Sequence, residues 1–159
     1  MVRPGDILLV HSSSIQSKLI QISTKSWWNH CAIAVSAVVL VEAVGSGVKT
    51  APIDSYAALP ADATRWIDTG RTDGQRALAV AYALSRVGRK YNRVEISSIA
   101  LGIVSGWKFT FGVDGADICS GLVGEALERA GVTFSKDGQN LTPADLAAFY
   151  AITPRLEKP

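Results

Sequence analysis

Ile118-Cys119-Ser120-Gly121-Leu122-Val123-Gly124-Glu125-Ala126-Leu127-Glu128-Arg129-Ala130-Gly131 is the stretch on which the reading of this chain turns. Leu122, Val123, Ala126, Leu127 and Ala130 recur at steps of three and four residues, the stripe of an amphipathic helix. Asp117 is placed to cap its start, and Gly131 stands where helices commonly end. Cys119 then falls in the first turn, where free backbone N–H groups and the helix dipole favour an anion and make a thiol easier to ionise. Most free cysteines are small buried hydrophobes, so Cys119 becomes a candidate nucleophile only if the rest of the chain supplies a base.

A chain of 159 residues is expected to form one domain spanning 1–159, with an ordinary core and no need for staples. With 48% hydrophobic and 19% charged residues it falls outside the disordered class. A net charge of +2 with no Lys/Arg cluster argues against nucleic acid as a partner. Two cysteines do not make a disulfide scaffold, and a Cys31–Cys119 bridge is a question only geometry answers. The Met1–Asp6 segment lacks the charged start, apolar middle and cleavage site of a signal peptide. The longest apolar run is interrupted by Ser36 and stopped by Glu42, too short for a transmembrane segment. The expectation is a soluble, cytoplasmic protein, although signal-independent export would leave no mark; nothing in the sequence encodes an oligomeric state.

Moving outward from the cysteine helix, Pro4-Gly5-Asp6 reads as a turn and Ile7-Leu8-Leu9-Val10 as a short buried strand. Ser12 to Ile22 suggests a capped short helix, with Ile15, Leu19, Ile20 and Ile22 inward. The loop that follows holds Trp27 and Trp28, one expected in the core and one at a surface or cleft. His30–Val35 and Val38–Val44 are β-branched, apolar strands joined near Ser36-Ala37, and Gly45–Thr50 continues the sheet. Pro52–Leu59 is loop with one helical turn, and Thr64–Asp68 is a further strand. Short strands in succession, without long helices between them, predict an antiparallel sheet. Helices are predicted over Asp73–Val87, with Ala77, Val80, Ala81, Leu84 and Val87 as the buried stripe, over Val94–Val104, and from Pro143 behind a Thr142 cap. Trp107–Val113 is strand or ordered loop.

A thiolate nucleophile needs a base in hydrogen-bond reach, and that base needs a group to orient it. The chain has only two histidines. His11 reads as a solvated loop residue, whereas His30 opens a strand. Glu42 is the only charged residue between His30 and Lys49, and a carboxylate in such an apolar strand needs a partner. Strand geometry leaves two arrangements open. A three-residue loop at 36–38 places Glu42 opposite Ala32, diagonal to His30 on the same face, and a two-residue loop places it on the other face. A zinc site drawn from His30, Cys31 and Cys119 is the weaker reading, because paired ligand spacings are lacking and neighbouring strand residues point apart; no metal or other cofactor is expected. No phosphate-cradling loop, dinucleotide fingerprint or serine elbow is present. Asp6, Asp54, Asp68 and Asp114 read as solvated carboxylates in turns.

The order Pro4-Gly5-Asp6-Ile7-Leu8-Leu9, Trp28-Asn29-His30-Cys31-Ala32-Ile33, Val41-Glu42-Ala43, Gly88-x-x-Tyr91-Asn92 and Ile118-Cys119-Ser120-Gly121-Leu122-Val123 resembles the circularly permuted NlpC-type, papain-like cysteine hydrolases of the YiiX kind, relatives of the lecithin–retinol acyltransferases. The resemblance runs from Pro4 to about Leu146. It implies an α+β, papain-like fold with an antiparallel, barrel-like sheet, packed helices and the cysteine at the N-terminus of a C-terminal helix. It implies Cys119 as nucleophile, His30 as base and Glu42 as the residue orienting the histidine, with Tyr91 and Trp28 at the substrate cleft. Asn29 stands where the family often has serine, Asn92 where it often has aspartate, and Gly121 where an acidic residue is common; none of these departures removes a catalytic group.

The activity implied is a thiol-dependent amidase or peptidase working through an acyl-enzyme, with a small peptide such as a cell-wall fragment as substrate. Two alternatives accompany it. One is a hydrolase or acyltransferase acting on a lipid ester or acyl amide, suggested by the apolar stretch Ile96–Val104 with Trp107. The other is a non-catalytic binding module on the same fold.

Overall fold

The computed structural model describes residues 1–12, 26–90 and 119–152. The helix expected over Ser12–Ile22, the segments Val94–Val104 and Trp107–Val113, Asp114, the Asp117 cap and Tyr91 lie wholly or largely outside the described residues.

Five strands, β1 (Ile7–Val10), β2 (His30–Ala34), β3 (Val39–Val44), β4 (Gly47–Pro52) and β5 (Thr64–Ile67), form one antiparallel sheet in the order β4-β3-β2-β1-β5. The sheet is open, with β4 and β5 at its edges, so the barrel-like closure expected from the resemblance is not found among the described residues. Among the described residues, three α-helices accompany it: α1 (Asp73–Arg86), α2 (Cys119–Arg129) and α3 (Pro143–Phe149). Short 3-10 turns at Ile53–Tyr56 and Gly138–Asn140 complete the α+β architecture.

Alternation along the strands sorts the sheet into two apolar faces. Ile7, Leu9, Cys31, Ile33, Val41, Ala43 and Ile67 join the core built with the helices. Leu8, Val10, Ala32, Leu40 and Ala51 face the other way, covered by Ile53, Tyr56, Leu59 and Trp66. All five residues of the predicted stripe on α2 are buried or nearly so. Close packing explains the glycines of that helix. A Cβ on Gly124 would lie 2.8 Å from Leu141 Cδ1 and collide with the Gly138 carbonyl, and one on Gly121 would meet the Gln139 carbonyl at 3.1 Å. The turn at Gly138–Asn140 therefore sits directly against the helix backbone. Thr142 caps α3 in a full capping box with Asp145, behind Pro143 at the first helical position.

Helix α1 corrects two expectations. Its buried residues are Arg76, Ala79 and Ala83, while Ala77, Leu78, Ala81 and Leu84 are exposed. The predicted stripe was rotated because a charged residue holds the inward position. Arg76 Nη1 pairs with Asp6 Oδ1 at 2.6 Å and donates to the Pro4 carbonyl at 2.9 Å, and Nη2 pairs with Asp68. Asp6 is thus buried, not solvated. Asp68 is exposed as expected, but it is held between Arg76 and Arg3. His11 is also not a solvated loop residue: its ring stacks on Trp27 at 3.6 Å, with Nδ1 2.8 Å from the Trp27 carbonyl. Trp28 is the core member of the tryptophan pair and Trp27 is half-buried.

Candidate active site

The β2–β3 hairpin settles the geometry the sequence left open. Ile33 pairs with Val41 and Ala34 with Leu40, and the Val35 N–H donates to the Val39 carbonyl at 2.9 Å, so the loop holds the three residues 36–38. Continuing that register sets Glu42 across from Ala32, one step diagonal from His30 on the same face. His30 Nε2 lies 2.9 Å from Glu42 Oε2. The carboxylate is almost wholly buried, with its side chain 5% exposed, and the His30 side chain is 17% exposed.

Two further residues hold Glu42. The Tyr56 hydroxyl donates to the same Oε2 and stands 3.1 Å from His30 Nε2, while Lys49 Nζ is 3.4 Å from Oε1. Burial raises the Glu42 pKa, but hydrogen bonds from His30 and Tyr56, with the charges of His30 and Lys49, hold it down at about 2. Burial and the bond to Glu42 push the Tyr56 hydroxyl well above its ordinary value, so it is protonated and a donor. An ionised carboxylate only accepts, so His30 Nε2 carries a proton toward Glu42 and Nδ1 is the ring nitrogen left for Cys119.

Cys119 opens α2 and is 5% exposed. Helix α2 packs on β2, whose residues 30–32 pair with β1 but not with β3. There the Cys31 thiol, the Cys31 backbone N–H and the His30 ring act together on the Cys119 sulfur. The Cys31 contact is the largest influence lowering the Cys119 pKa; burial opposes it, and the His30 bond and charge add to the lowering. The net result lies well below the ordinary thiol value. Cys31 moves the other way, raised by burial and by its neighbour, and remains a thiol. Burial pulls His30 down, but the bond and charge of Cys119, then those of Glu42, raise it to about 10. The two shifts run in the direction that favours a thiolate–imidazolium pair, with Glu42 bonded to the far side of the ring. Both cysteines are free.

Cys119, His30 and Glu42 are therefore brought together. Trp28 shares the apolar cluster of Cys119, and its indole Nε1 is buried with no hydrogen-bond partner among the described residues. Tyr91 lies outside the described residues. Sequence reasoning missed Tyr56 and Lys49 as neighbours of Glu42, and considered Cys31 only as a metal ligand or disulfide partner. Its position next to His30 on an alternating strand was the one available signal, since it turns Cys31 toward the helix side. Among the described residues, no group of three or more His, Cys, Asp or Glu side chains is arranged to hold a metal ion.

Comparison with known proteins adds three findings. A family model described as a permuted papain-like amidase enzyme, YaeF/YiiX, C92 family, matches residues 1–141. Among solved structures, metalloprotein yiiX from Escherichia coli O157:H7 is similar, with a TM-score of 0.60 and 22% sequence identity over 96% of this chain and 84% of that one. That likeness shows the fold. No curated protein matches.

Proposed function

Because the chain belongs to the permuted papain-like amidase family, we propose that it is a cysteine amidase in which Cys119, His30 and Glu42 form the catalytic triad. The observation that carries this reading is the 2.9 Å contact of His30 Nε2 with a buried Glu42 carboxylate, on an imidazole whose pKa is raised by Cys119 as well as by Glu42. The Cys119 thiolate attacks the amide carbonyl, and the oxyanion is held in part by backbone N–H at the start of α2. The imidazolium gives its proton to the leaving amine as the C–N bond breaks, leaving a thioester on Cys119. Neutral His30 then takes a proton from water, whose oxygen attacks the thioester, and Cys119 departs as thiolate. Glu42 holds the ring in the tautomer that leaves Nδ1 toward sulfur throughout.

Small peptides, including cell-wall fragments, are the proposed substrate class. The residues that motivated a lipid-directed reading, Ile96–Val104 and Trp107, lie outside the described residues. A non-catalytic binding module would have no use for a thiol held well below its ordinary pKa. A thiol-directed acyl probe tests the proposal: the wild type is labelled at Cys119 and Cys119→Ala is not, with peptide-amide turnover falling about a thousandfold or more. Labelling of equal extent in Cys119→Ala would overturn it.

A further inference from the structure

We infer that Tyr56 is a fourth member of this site, a positioning residue whose hydroxyl locks the Glu42 carboxylate onto His30. The inference rests on the triad reading and adds a residue that neither the family match nor the sequence pattern assigns.

Glu42 presents two oxygens, and His30 uses only Oε2. Lys49 Nζ lies on the opposite oxygen, on a side chain 52% exposed, and so draws the carboxylate toward solvent. The Tyr56 hydroxyl donates to Oε2, the oxygen His30 needs, and opposes that pull. A hydroxyl has one proton, and here it goes to the carboxylate. The 3.1 Å approach to His30 Nε2 is therefore one at which Nε2–H can be shared between the carboxylate and the tyrosine oxygen. The rings lie 6.3 Å apart at 21°, so the tyrosine also covers the imidazole.

The backbone explains why the hydroxyl arrives there. Pro52 has extended φ and ψ ahead of the Ile53–Tyr56 turn, and Ser55 Oγ donates to the Pro52 carbonyl at 2.6 Å. The Ile53 N–H donates to the Val38 carbonyl at 3.0 Å, tying the turn to the β2–β3 hairpin that carries both partners. Ile53 and Tyr56 pack on Leu8, Val10, Ala32, Leu40 and Ala51, fixing the ring plane. An apolar contact alone would be met equally well by phenylalanine. The hydroxyl is the part that packing does not require.

The test is the pH dependence of iodoacetamide alkylation at Cys119, followed by peptide mass spectrometry, in wild type, Tyr56→Phe, Glu42→Gln and the double variant. The ionisable groups around the tyrosine hydroxyl are His30, Glu42, Cys119 and Cys31, with Lys49 acting through Glu42. Wild-type Cys119 should alkylate from well below the ordinary thiol range. Tyr56→Phe should move the midpoint up by roughly half to one pH unit, as expected when a hydrogen bond to a charged group is lost one step from the sulfur. Glu42→Gln should move it further, and adding Tyr56→Phe to Glu42→Gln should change nothing more, because the tyrosine acts through the carboxylate. An unmoved midpoint in Tyr56→Phe, or the same shift in both backgrounds, would overturn the assignment while leaving the triad standing. An ordinary wild-type midpoint would overturn the triad and the assignment with it.

Discussion

Among the described residues, two buried ionic clusters use charge in opposite ways. At one, Arg76 is surrounded by Asp6, Asp68 and the Pro4 and Arg71 carbonyls. Its guanidinium bonds lock α1 against the turn before β1. At the other, Cys119, His30, Glu42 and Tyr56 share protons among groups each moved from its ordinary pKa. The first cluster is a fastener. The second holds charge ready to move, and that is the ground on which we propose it as the reactive centre.

The largest effect that would sharpen this contrast is on stability. Arg76→Met leaves Asp6 buried without its partner and should lower unfolding free energy by about 3–5 kcal/mol in a denaturant titration. The alkylation rate of Cys119 in the folded fraction should stay unchanged; a parallel loss of reactivity would break the distinction. A smaller effect is expected at Cys31. Cys31→Ala removes the largest contact lowering the Cys119 pKa, so the alkylation midpoint should rise toward the ordinary thiol value, with little change in stability beyond a small cavity. An unchanged midpoint would assign the lowered pKa to His30 alone.

The reactive cluster also ties stability to pH, in two directions. Glu42 is depressed in the folded state, so its contribution is present above pH 4.5 and lost as pH falls through about 2. His30 is raised, so its contribution is full below pH 6.5 and lost as pH rises through about 10.

Much of this was legible in the residues. Local signals were enough for β1, the β2–β3 hairpin, the α2 stripe and the Thr142 cap, because each rests on periodicity or capping within a few residues. The His30–Glu42 pairing reduced to counting the residues of one loop, which the sequence posed as a choice and the hairpin resolved at three. Long-range partners were not legible. Arg76 meets Asp6 across 70 residues, and nothing local distinguishes a buried arginine from a solvated one, so the apolar stripe of α1 was turned to the wrong side. Tyr56 sits in a turn without periodicity, 14 residues beyond the carboxylate it holds. The open sheet depends on which strand edges meet, and strand patterns do not carry that information.

The most direct measurement is an NMR titration of the imidazole of His30, one of only two histidines in the chain. The thiolate–imidazolium pair predicts that His30 stays protonated through neutral pH, titrates near 10, and drops toward its ordinary value in Cys119→Ser. A wild-type His30 that titrates near 6.5, unmoved by the substitution, would contradict it.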